Sequence, residues 1–281
     1  MKLLRYGPPG AEKPGLLDGA GAIRDLSGEV ADIAGEALLP ESLERLKGLD
    51  PAALPKVAGA PRLGPCVGAV GKFVAIGLNY ADHAREAGAP IPEEPLIFTK
   101  ATSCICGPND DTVIPPGATK LDYEVELALA IGRGGVNIEE AEAAGHIAGY
   151  CIVNDVSERH YQLEGTGQWV KGKSADSFGP IGPWLVTADE VPDPQNLRLW
   201  LEVDGARRQD GSTETMIFNV FHLVSYVSRF MSLQPGDVIT TGTPPGVGLG
   251  RKPPTYLKPG QTVRLGVEGL GEQVQRIVAA G

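Results

Sequence analysis

Three carboxylates recur at every second position of one short stretch. Residues 121–131 read Leu-Asp-Tyr-Glu-Val-Glu-Leu-Ala-Leu-Ala-Ile, and this alternation predicts a β-strand with one face in an apolar core. Asp122, Glu124 and Glu126 then share the other face, where they repel one another unless water screens them or a cation binds them. Mg²⁺ and Mn²⁺ prefer carboxylate oxygens, so one hypothesis is a divalent-cation site. The alternative is an edge strand with a solvated acidic face.

A histidine and a glutamate are paired in a second stretch. A short helix is predicted from Ala81 to Ala87, ended by Gly88, and its His83 and Glu86 share one face because they are three positions apart. A carboxylate bonded to an imidazole fixes the tautomer and raises its basicity, which is typical of a base that activates water. The alternative is two solvated side chains on a surface helix.

Polar residues also follow a predicted strand over residues 147–154. Asp155 stands at its end, where it either adds a third oxygen ligand beside the two glutamates or caps the next turn. Arg159 and Gln162 are three positions apart and either bind a carboxylate together or take part in surface salt bridges.

Two further stretches carry candidate binding groups. Lys173 lies among glycine and aromatic residues in the segment 169–180, where it either faces a developing enolate or carboxylate or is an exposed loop lysine. The glycine-rich loop 242–250 contains two prolines and opens no helix, so it is not a dinucleotide-binding fingerprint. Its backbone N–H groups and Thr243 are candidates for binding a carboxylate.

The elements that position these groups are predicted to be short. The chain has 281 residues with 38 glycines, 24 prolines and only 6% aromatic residues, which favours many strands and tight turns in a β-rich α+β fold. A small N-terminal α+β domain is predicted over residues 1–65, ending in a proline-rich linker, with a second domain over residues 66–281. Helices are predicted from Asn137 to Gly145 and from a cap at Asn219 to about Met231.

The composition restricts the binding partners and the cellular compartment that we expect for this protein. The net charge of −10 argues against nucleic-acid or anionic-membrane partners. No apolar run reaches the roughly 20 residues that span a bilayer, and the first residues lack the apolar region of a signal peptide, so a cytoplasmic protein is expected. The four cysteines show no CxxC spacing and are expected to be buried, reduced thiols.

Taken together, the motifs resemble the fumarylacetoacetate hydrolase family. The resemblance covers residues 70–280 well and is carried by six segments: Gly77–Tyr80 with His83 and Glu86, Pro95–Lys100, Leu121–Leu127, Asn154–Arg159, Lys171–Ser174 and Thr241–Gly248. It implies a mixed β-roll or barrel domain after a small N-terminal domain, usually as a homodimer.

The resemblance also implies the roles of the site residues. It implies Mg²⁺ or Mn²⁺ on Glu124, Glu126 and Asp155, with a 2-oxo acid substrate bound to the metal. Lys173 is implied beside that substrate, with His83 and Glu86 on a mobile lid. Four more residues are expected to contact the substrate: Lys100, Arg159, Gln162 and Thr243.

The implied activity is hydrolysis of a carbon–carbon bond. A 2,4-dioxo acid of the acylpyruvate type would be cleaved between C3 and C4 to pyruvate and a carboxylic acid. The segment 160–169 resembles the branch that acts on sugar-derived acids such as 2,4-didehydro-3-deoxy-L-rhamnonate, which would yield pyruvate and lactate. The alternatives are an oxaloacetate decarboxylase that uses the same site and a protein that binds a 2-oxo acid without turnover.

Overall fold

The chain, described here by a computed structural model over residues 1–280 without the side chain of Ala87, consists mainly of short strands. The strands are β1 (Lys2–Tyr6), β2 (Lys13–Leu17), β3 (Ile23–Asp25), β4 (Phe73–Gly77), β5 (Leu96–Lys100), β6 (Ile105–Cys106), β7 (Thr112–Ile114), β8 (Leu121–Asp122), β9 (Val125–Ile131), β10 (Ile147–Asn154), β11 (Ser157–Glu158), β12 (Gly179–Thr187), β13 (Arg198–Val203), β14 (Ala206–Ser212), β15 (Val238–Thr240), β16 (Thr262–Val267) and β17 (Gly271–Ala279). The α-helices are α1 (Pro40–Lys47), α2 (Ala81–Ala87), α3 (Arg159–Leu163), α4 (Val170–Lys173) and α5 (Val220–Ser228). Short 3₁₀ helices lie at Gly35–Leu38, Pro51–Ala53, Thr102–Cys104, Glu140–His146, Ala188–Glu190 and Thr213–Thr215.

Two sheets enclose the core. A ten-stranded sheet has the order β3-β2-β1-β12-β10-β9-β15-β4-β5, with β6 paired to β12. A five-stranded sheet has the order β14-β13-β16-β17-β7, and its strands contact β9, β10 and β12 of the first sheet. The predicted strand-rich fold with short helices is confirmed. Over residues 1–280 the strands end in open edges, so the closed barrel that the prediction allowed is not formed.

The acidic stretch lies at the centre of the large sheet. Strand β9 pairs antiparallel with β10 on one side and with β15 on the other, and all of its residues are buried. The alternative of a solvated edge strand is therefore wrong. A single strand over residues 121–131 is also wrong, because the chain leaves the ladder at Tyr123 and Glu124, where the Glu124 N–H donates to Asn154 Oδ1 (3.1 Å).

The N-terminal strands continue the large sheet. Strand β1 pairs with β2 on one side and with β12 on the other, with Leu3 opposite Leu185. Leu3 and Leu4 are completely buried. The proposed boundary between residues 65 and 66 stays a prediction, but the first strands contribute to the same sheet as the acidic strand.

The observed helices match the predicted helices in part. Helix α2 has the predicted bounds, and Asn219 caps α5 by accepting from the N–H groups of Phe221 (3.0 Å) and His222 (2.8 Å). The helix predicted from Asn137 is instead the 3₁₀ helix Glu140–His146, which begins later because Glu139 has an extended backbone (φ −66°, ψ 141°). Within residues 1–280, no helix is both long and apolar enough to cross a membrane.

Candidate active site

A cavity of about 500 Å³ opens between helix α2, helices α3 and α4, and the glycine-rich loop that follows β15. Its deep end is formed by buried polar residues, and its outer end by half-buried and exposed ones. The sequence-predicted residues that line it are His83, Glu86, Glu124, Glu126, Arg159, Gln162, Lys173 and Thr243. The sheet and its flanking helices therefore bring together eight residues from five separate segments of the chain.

The three predicted metal-binding carboxylates converge beside the deep end of the cavity, which Glu124 and Glu126 line, whereas Asp155 is next to them without lining the cavity. Oxygens of Glu124, Glu126 and Asp155 lie within 4.8 Å of one another, and all three residues are buried. Antiparallel pairing of β9 with β10 accounts for this arrangement, since Asn154 is opposite Val125 and the Asp155 N–H donates to the Glu124 carbonyl (2.9 Å). Asp155 therefore lies at a strand end beside the two glutamates, as the sequence analysis expected.

Two of these carboxylates are bonded to cations. Lys173 Nζ donates to Glu124 (2.9 Å) and to Asp155 (2.6 Å), and Arg159 Nη2 donates to Glu124 (2.6 Å). Burial opposes the charge of Glu124, but Lys173 and Arg159 outweigh it and hold the pKa of Glu124 well below its usual range. Glu124 is thus held as an anion.

Glu126 has no such cation. Its Oε2 accepts from the Thr240 hydroxyl and from the Gly242 N–H (2.9 Å). Burial, followed by the charges of Asp155 and Glu124, raises the pKa of Glu126 well above its usual value. A third buried carboxylate without a countercharge is costly. Because hard divalent cations take carboxylate oxygens as ligands, this donor set fits Mg²⁺ or Mn²⁺.

The histidine–glutamate pair lies on α2 at the wall of the cavity. His83 Nδ1 is 3.1 Å from Glu86 Oε2, which leaves Nε2 as the nitrogen available to a ligand. Glu86 also accepts from the Gly246 N–H, at 3.0 Å to each oxygen. Although burial opposes it, hydrogen bonds from His83 and the Gly246 N–H, together with the charges of His83 and Arg251, lower the pKa of Glu86. The pair is therefore joined to the glycine-rich loop rather than solvated.

Arg159 and Gln162 lie on one face of α3 and are bonded to each other. Arg159 Nη1 donates to Gln162 Oε1 (2.9 Å), and its Nε donates to Asp122 (2.8 Å). Asp122 also accepts from the N–H groups of Gly248 (2.7 Å) and Leu249 (2.9 Å). Asp122 therefore positions both Arg159 and the glycine-rich loop.

The sequence analysis missed this role of Asp122. The position of Asp122 beside Glu124 and Glu126 in the sequence indicates that it belongs to the site, but a single straight strand would place it with the metal-binding carboxylates. The break at Tyr123 and Glu124 turns Asp122 away from the other two carboxylates.

Thr243 and Lys100 form hydrogen bonds within the protein that limit how they could contact a substrate. The Thr243 hydroxyl donates to the Val125 carbonyl (2.9 Å) and accepts from Gln209 (2.8 Å), so its donor is used within the protein. Lys100 does not line the cavity. Its ammonium donates to Asp155 Oδ1 and to the Lys173 carbonyl, each at 2.5 Å, so it lies behind Asp155 and supports it instead of facing the substrate.

Apolar and aromatic side chains cover the middle of the cavity, and the sequence analysis did not assign them to the site. Trp169 packs edge-on against Phe98, with ring centroids 5.3 Å apart, and Lys173 Nζ lies 5.2 Å from the Phe98 ring. A Cβ at Gly77 would come within 2.6 Å of the Trp169 ring, so glycine is needed there for the close approach. Leu163 and Leu249 complete this part of the wall.

Comparison with known proteins agrees with the fold. A family model described as "Fumarylacetoacetate (FAA) hydrolase C-terminal" matches residues 72–278. A protein of Burkholderia multivorans, named provisionally as a hydrolase without a stated substrate, is 65% identical over 281 residues and is covered, like this chain, over 100% of its length.

Several solved structures are similar over the whole chain, among them the following two. Maleylpyruvate hydrolase from Sphingobium sp. SYK-6, solved with manganese(II) and pyruvate, has 26% identity and a TM-score of 0.82, with 100% of each chain covered. The 2-hydroxyhepta-2,4-diene-1,7-dioate isomerase from Mycobacterium marinum has 33% identity and a TM-score of 0.75, with 100% of this chain and 99% of the other covered.

Proposed function

This chain belongs to the fumarylacetoacetate hydrolase family, and on that premise we propose that it hydrolyses the C3–C4 bond of a 2,4-dioxo acid to pyruvate and a carboxylic acid. The observation that carries the proposal is one cavity in which Glu124 and Glu126 of the carboxylate triad form the deep end, with Asp155 next to them, and the His83–Glu86 pair forms part of the wall. The name of the manganese- and pyruvate-bound maleylpyruvate hydrolase supports both the metal and the pyruvyl group.

The metal would be held by Glu124, Glu126 and Asp155. When bound, Mg²⁺ or Mn²⁺ would supply Lewis-acid polarisation of the 2-oxo acid oxygens. Lys100 and Lys173 keep Asp155 in place from opposite oxygens. The protein therefore contributes both the ligands and the cations that orient them.

The His83–Glu86 pair provides the base in this proposal. Glu86 accepts a hydrogen bond from Nδ1–H of His83, so the Nε2 lone pair takes a proton from a water molecule, and the oxygen of that water bonds to C4. The C3–C4 bond then breaks and its electron pair passes into the enolate of pyruvate. A proton returns to C3, which completes pyruvate, and the C4 fragment leaves as a carboxylic acid.

Lys173 stabilises the charge that develops in this step. It is completely buried at the edge of the triad, and despite burial the charges of Asp155 and Glu124 raise its pKa, so it stays protonated. A fixed ammonium in a water-poor site stabilises an enolate oxygen more strongly than solvent would. Arg159 and Gln162 are the proposed contacts for the substrate carboxylate.

The chemical identity of the acyl part of the substrate is less closely defined than the reaction. The resemblance of residues 160–169 suggested a sugar-derived acid such as 2,4-didehydro-3-deoxy-L-rhamnonate. In the structure Gln162, Leu163 and Trp169 of that segment do line the cavity, but two of the three are apolar and offer few partners for hydroxyl groups. We therefore carry forward the wider class of 2,4-dioxo acids and include the sugar acid in the test.

Two other reactions could use the same residues. Decarboxylation of oxaloacetate would need the enolate stabilisation but no attacking water. The similarity to a named isomerase favours a third outcome, in which a proton moves between carbons without bond cleavage. Simple binding of a 2-oxo acid is less well supported, since a binder requires neither the His83–Glu86 base nor the buried Lys173.

A product assay decides among these reactions. Purified protein with and without Mg²⁺ would be given acylpyruvates, oxaloacetate, the dioxo sugar acid and an unsaturated 2-hydroxydienedioate. Hydrolysis predicts equal amounts of pyruvate and the acid, and only with metal. Carbon dioxide from oxaloacetate alone, or isomerised substrate alone, would replace the proposal with the corresponding alternative.

The cytoplasmic location and the homodimer form part of the same proposal and rest on the sequence features and on the family resemblance. Light scattering after gel filtration measures the mass of the assembly, and a monomer would contradict the second part.

A further inference from the structure

A buried glutamine of the second sheet lies behind the carboxylate triad. Strand β14 is the edge of the five-stranded sheet, and among its seven residues, all within the described part of the chain, only Gln209 is buried. Gln209 lies directly opposite the completely buried Leu201, at a position that faces the core. A buried amide is costly there unless its polar groups are hydrogen-bonded. The preceding Arg208 is the extra residue of a β-bulge, a feature that re-aims side chains and is frequent beside active sites.

The oxygen and both N–H groups of the Gln209 amide are hydrogen-bonded, and they join two parts of the site. Its Oε1 accepts from the Val125 N–H (2.9 Å), and its Nε2 donates to the Thr243 hydroxyl (2.8 Å) and to the Pro244 carbonyl (2.7 Å). Val125 lies between the two glutamates of the triad, whereas Thr243 and Pro244 belong to the glycine-rich loop. The amide therefore connects the metal-binding strand to that loop.

The oxygen of Gln209 holds the peptide unit that joins Glu124 to Val125. On one side of this unit the Asp155 N–H donates to the Glu124 carbonyl (2.9 Å), and on the other side the Val125 N–H donates to Gln209. The pairing of β9 with β15 extends only to Ala128, so a side chain takes the place of the neighbouring strand at Val125. Gln209 thus holds, from the second sheet, a peptide unit whose other partner carries the third carboxylate of the triad.

The N–H groups of the same amide hold the glycine-rich loop at a place where it packs tightly on β14. A Cβ at Gly211 would lie 2.5 Å from Pro244 Cβ, and a Cβ at Gly246 would overlap the Arg208 carbonyl oxygen. Glycine is therefore needed on both sides of this contact. The N–H of Gly246 also donates to Glu86, so the part of the loop that lies against β14 anchors the histidine–glutamate pair.

From these contacts we propose that Gln209 is a positioning residue for the metal site and for the glycine-rich loop. Its oxygen sets the direction in which Glu124 reaches the metal, and its two N–H groups set the distance between the loop and the triad. The inference rests on the proposed function, which places a divalent cation on Glu124, Glu126 and Asp155. Gln209 itself is not among the described residues that line the cavity, so it acts through the groups that it holds.

Binding of Mn²⁺ tests the role of the oxygen without turnover. Gln209→Met keeps a similar volume but removes the amide, so the affinity of the full-length protein for Mn²⁺, measured by calorimetry, should fall about tenfold, as is typical when a group that orients a metal ligand is lost. The fine structure in the electron paramagnetic resonance spectrum of the bound Mn²⁺ should change with the coordination geometry. Gln209→Glu keeps an oxygen acceptor for the Val125 N–H and should lose no more than about threefold in affinity.

Hydrogen exchange tests the role of the two N–H groups. A carboxyl group in place of the amide supplies at most one donor instead of two, so Gln209→Glu should release the loop while it still binds Mn²⁺. We expect the amides of residues 246–249 to exchange about tenfold faster than in the wild type. Gln209→Met should show both defects, and Gln209→Glu keeps the inference testable if Gln209→Met does not fold.

Gln195 provides a matched control. It is half-buried and is not among the described residues that line the cavity. Like Gln209, it joins two backbone groups, since it accepts from the Val220 N–H (2.9 Å) and donates to the Thr213 carbonyl (3.3 Å). Gln195→Met should lower the thermal unfolding temperature but leave the Mn²⁺ affinity, the spectrum and the loop exchange unchanged. This comparison separates positioning of the site from a general loss of hydrogen bonds.

The outcomes separate this inference from the proposed function. Unchanged Mn²⁺ affinity and spectrum in Gln209→Met, an equal loss of affinity in Gln195→Met, or unchanged loop exchange in Gln209→Glu would overturn the inference, even if the wild type hydrolyses acylpyruvates. The expected Mn²⁺ and exchange results in a protein that cleaves no acylpyruvate would retain the positioning role of Gln209 and reject the hydrolase.

Discussion

At the scale of single residues, Glu126 is the member of the triad that most needs a cation. Lys173 and Arg159 bond to Glu124, and Lys173 and Lys100 bond to Asp155, whereas Glu126 accepts only from a hydroxyl and an N–H. The acidic row and the strand-end aspartate could be predicted from residue types and spacing. The cations that hold them could not, because Lys100 and Lys173 approach from segments that only the fold brings together.

Glu126→Gln is expected to weaken metal binding without unfolding the protein. The amide keeps one oxygen ligand but loses the charge, so affinity for Mn²⁺ should fall about tenfold or more. The metal-free variant should be about as stable as the wild type, since the amide oxygen of glutamine can accept the same hydrogen bonds from Thr240 and Gly242. Calorimetry with Mn²⁺ and thermal unfolding check both parts, with the exposed Glu139→Gln as the control. Undiminished Mn²⁺ affinity would rule out Glu126 as a ligand.

His83→Ala is expected to abolish hydrolysis and to spare ligand binding. Loss of a general base typically costs a factor of about 10²–10⁴ in rate. Binding of oxalate to the metal-loaded protein should be nearly unchanged, because the pair acts on water rather than on the bound acid. Rate assays and oxalate calorimetry measure the two effects, and substitution of the half-buried His146 outside the cavity, His146→Ala, should change neither. A variant that kept near-normal hydrolysis would show that another group is the base.

At the scale of elements, helix α2 is short and is joined to the glycine-rich loop by Glu86. Its seven residues were predictable from the sequence, including the end at Gly88, which has φ +65°. Its contact with Gly246 was not predictable, since it joins residues 160 positions apart. Isolated helices of this length are marginal in water, so tertiary contacts must decide whether α2 stays in place.

The contact between Glu86 and the loop is expected to depend on pH and on ligand. Because the pKa of Glu86 is lowered in the folded protein, its stabilising contribution is present above the usual glutamate pKa of about 4.3. It is lost as the pH falls through the lowered value. Hydrogen exchange should show protection of the amides of residues 84–88 that increases with Mg²⁺ and oxalate at pH 7. Glu86→Gln should lose part of that protection at pH 7. Protection that is equal with and without ligand would contradict a lid role.

At the scale of the whole molecule, the strand-rich class was predictable from composition, but the two-sheet arrangement was not. Alternation in residues 121–131 predicts a strand with one buried face, yet β9 is buried on both faces because the five-stranded sheet packs on it. Nothing local in the sequence reports that second layer. The proline-rich residues 51–65 predict a linker after a separate N-terminal unit. Strand β1 of that unit is nevertheless hydrogen-bonded to β12 of the large sheet.

Removal of residues 1–65 is expected to destabilise the rest of the chain. The truncation would expose the edge of β12 and the surface that Leu3 and Leu4 cover. Residues 66–281 alone should therefore aggregate or unfold at a lower temperature, and coexpression with residues 1–65 should restore a folded complex. Circular dichroism and gel filtration measure this. A truncated protein as stable as the full chain would instead support an independent N-terminal domain.

In the proposed reaction, water adds to C4 of a 2,4-dioxo acid while the other fragment leaves as pyruvate. Turnover of an acylpyruvate in H₂¹⁸O with Mg²⁺, quenched early and analysed by mass spectrometry, tests it most directly. Hydrolysis predicts one ¹⁸O atom in the released carboxylic acid for each pyruvate formed, and no products after the metal is chelated. Pyruvate or carbon dioxide formed without ¹⁸O in an acid product, or no cleavage of any acylpyruvate, would rule out this hydrolysis.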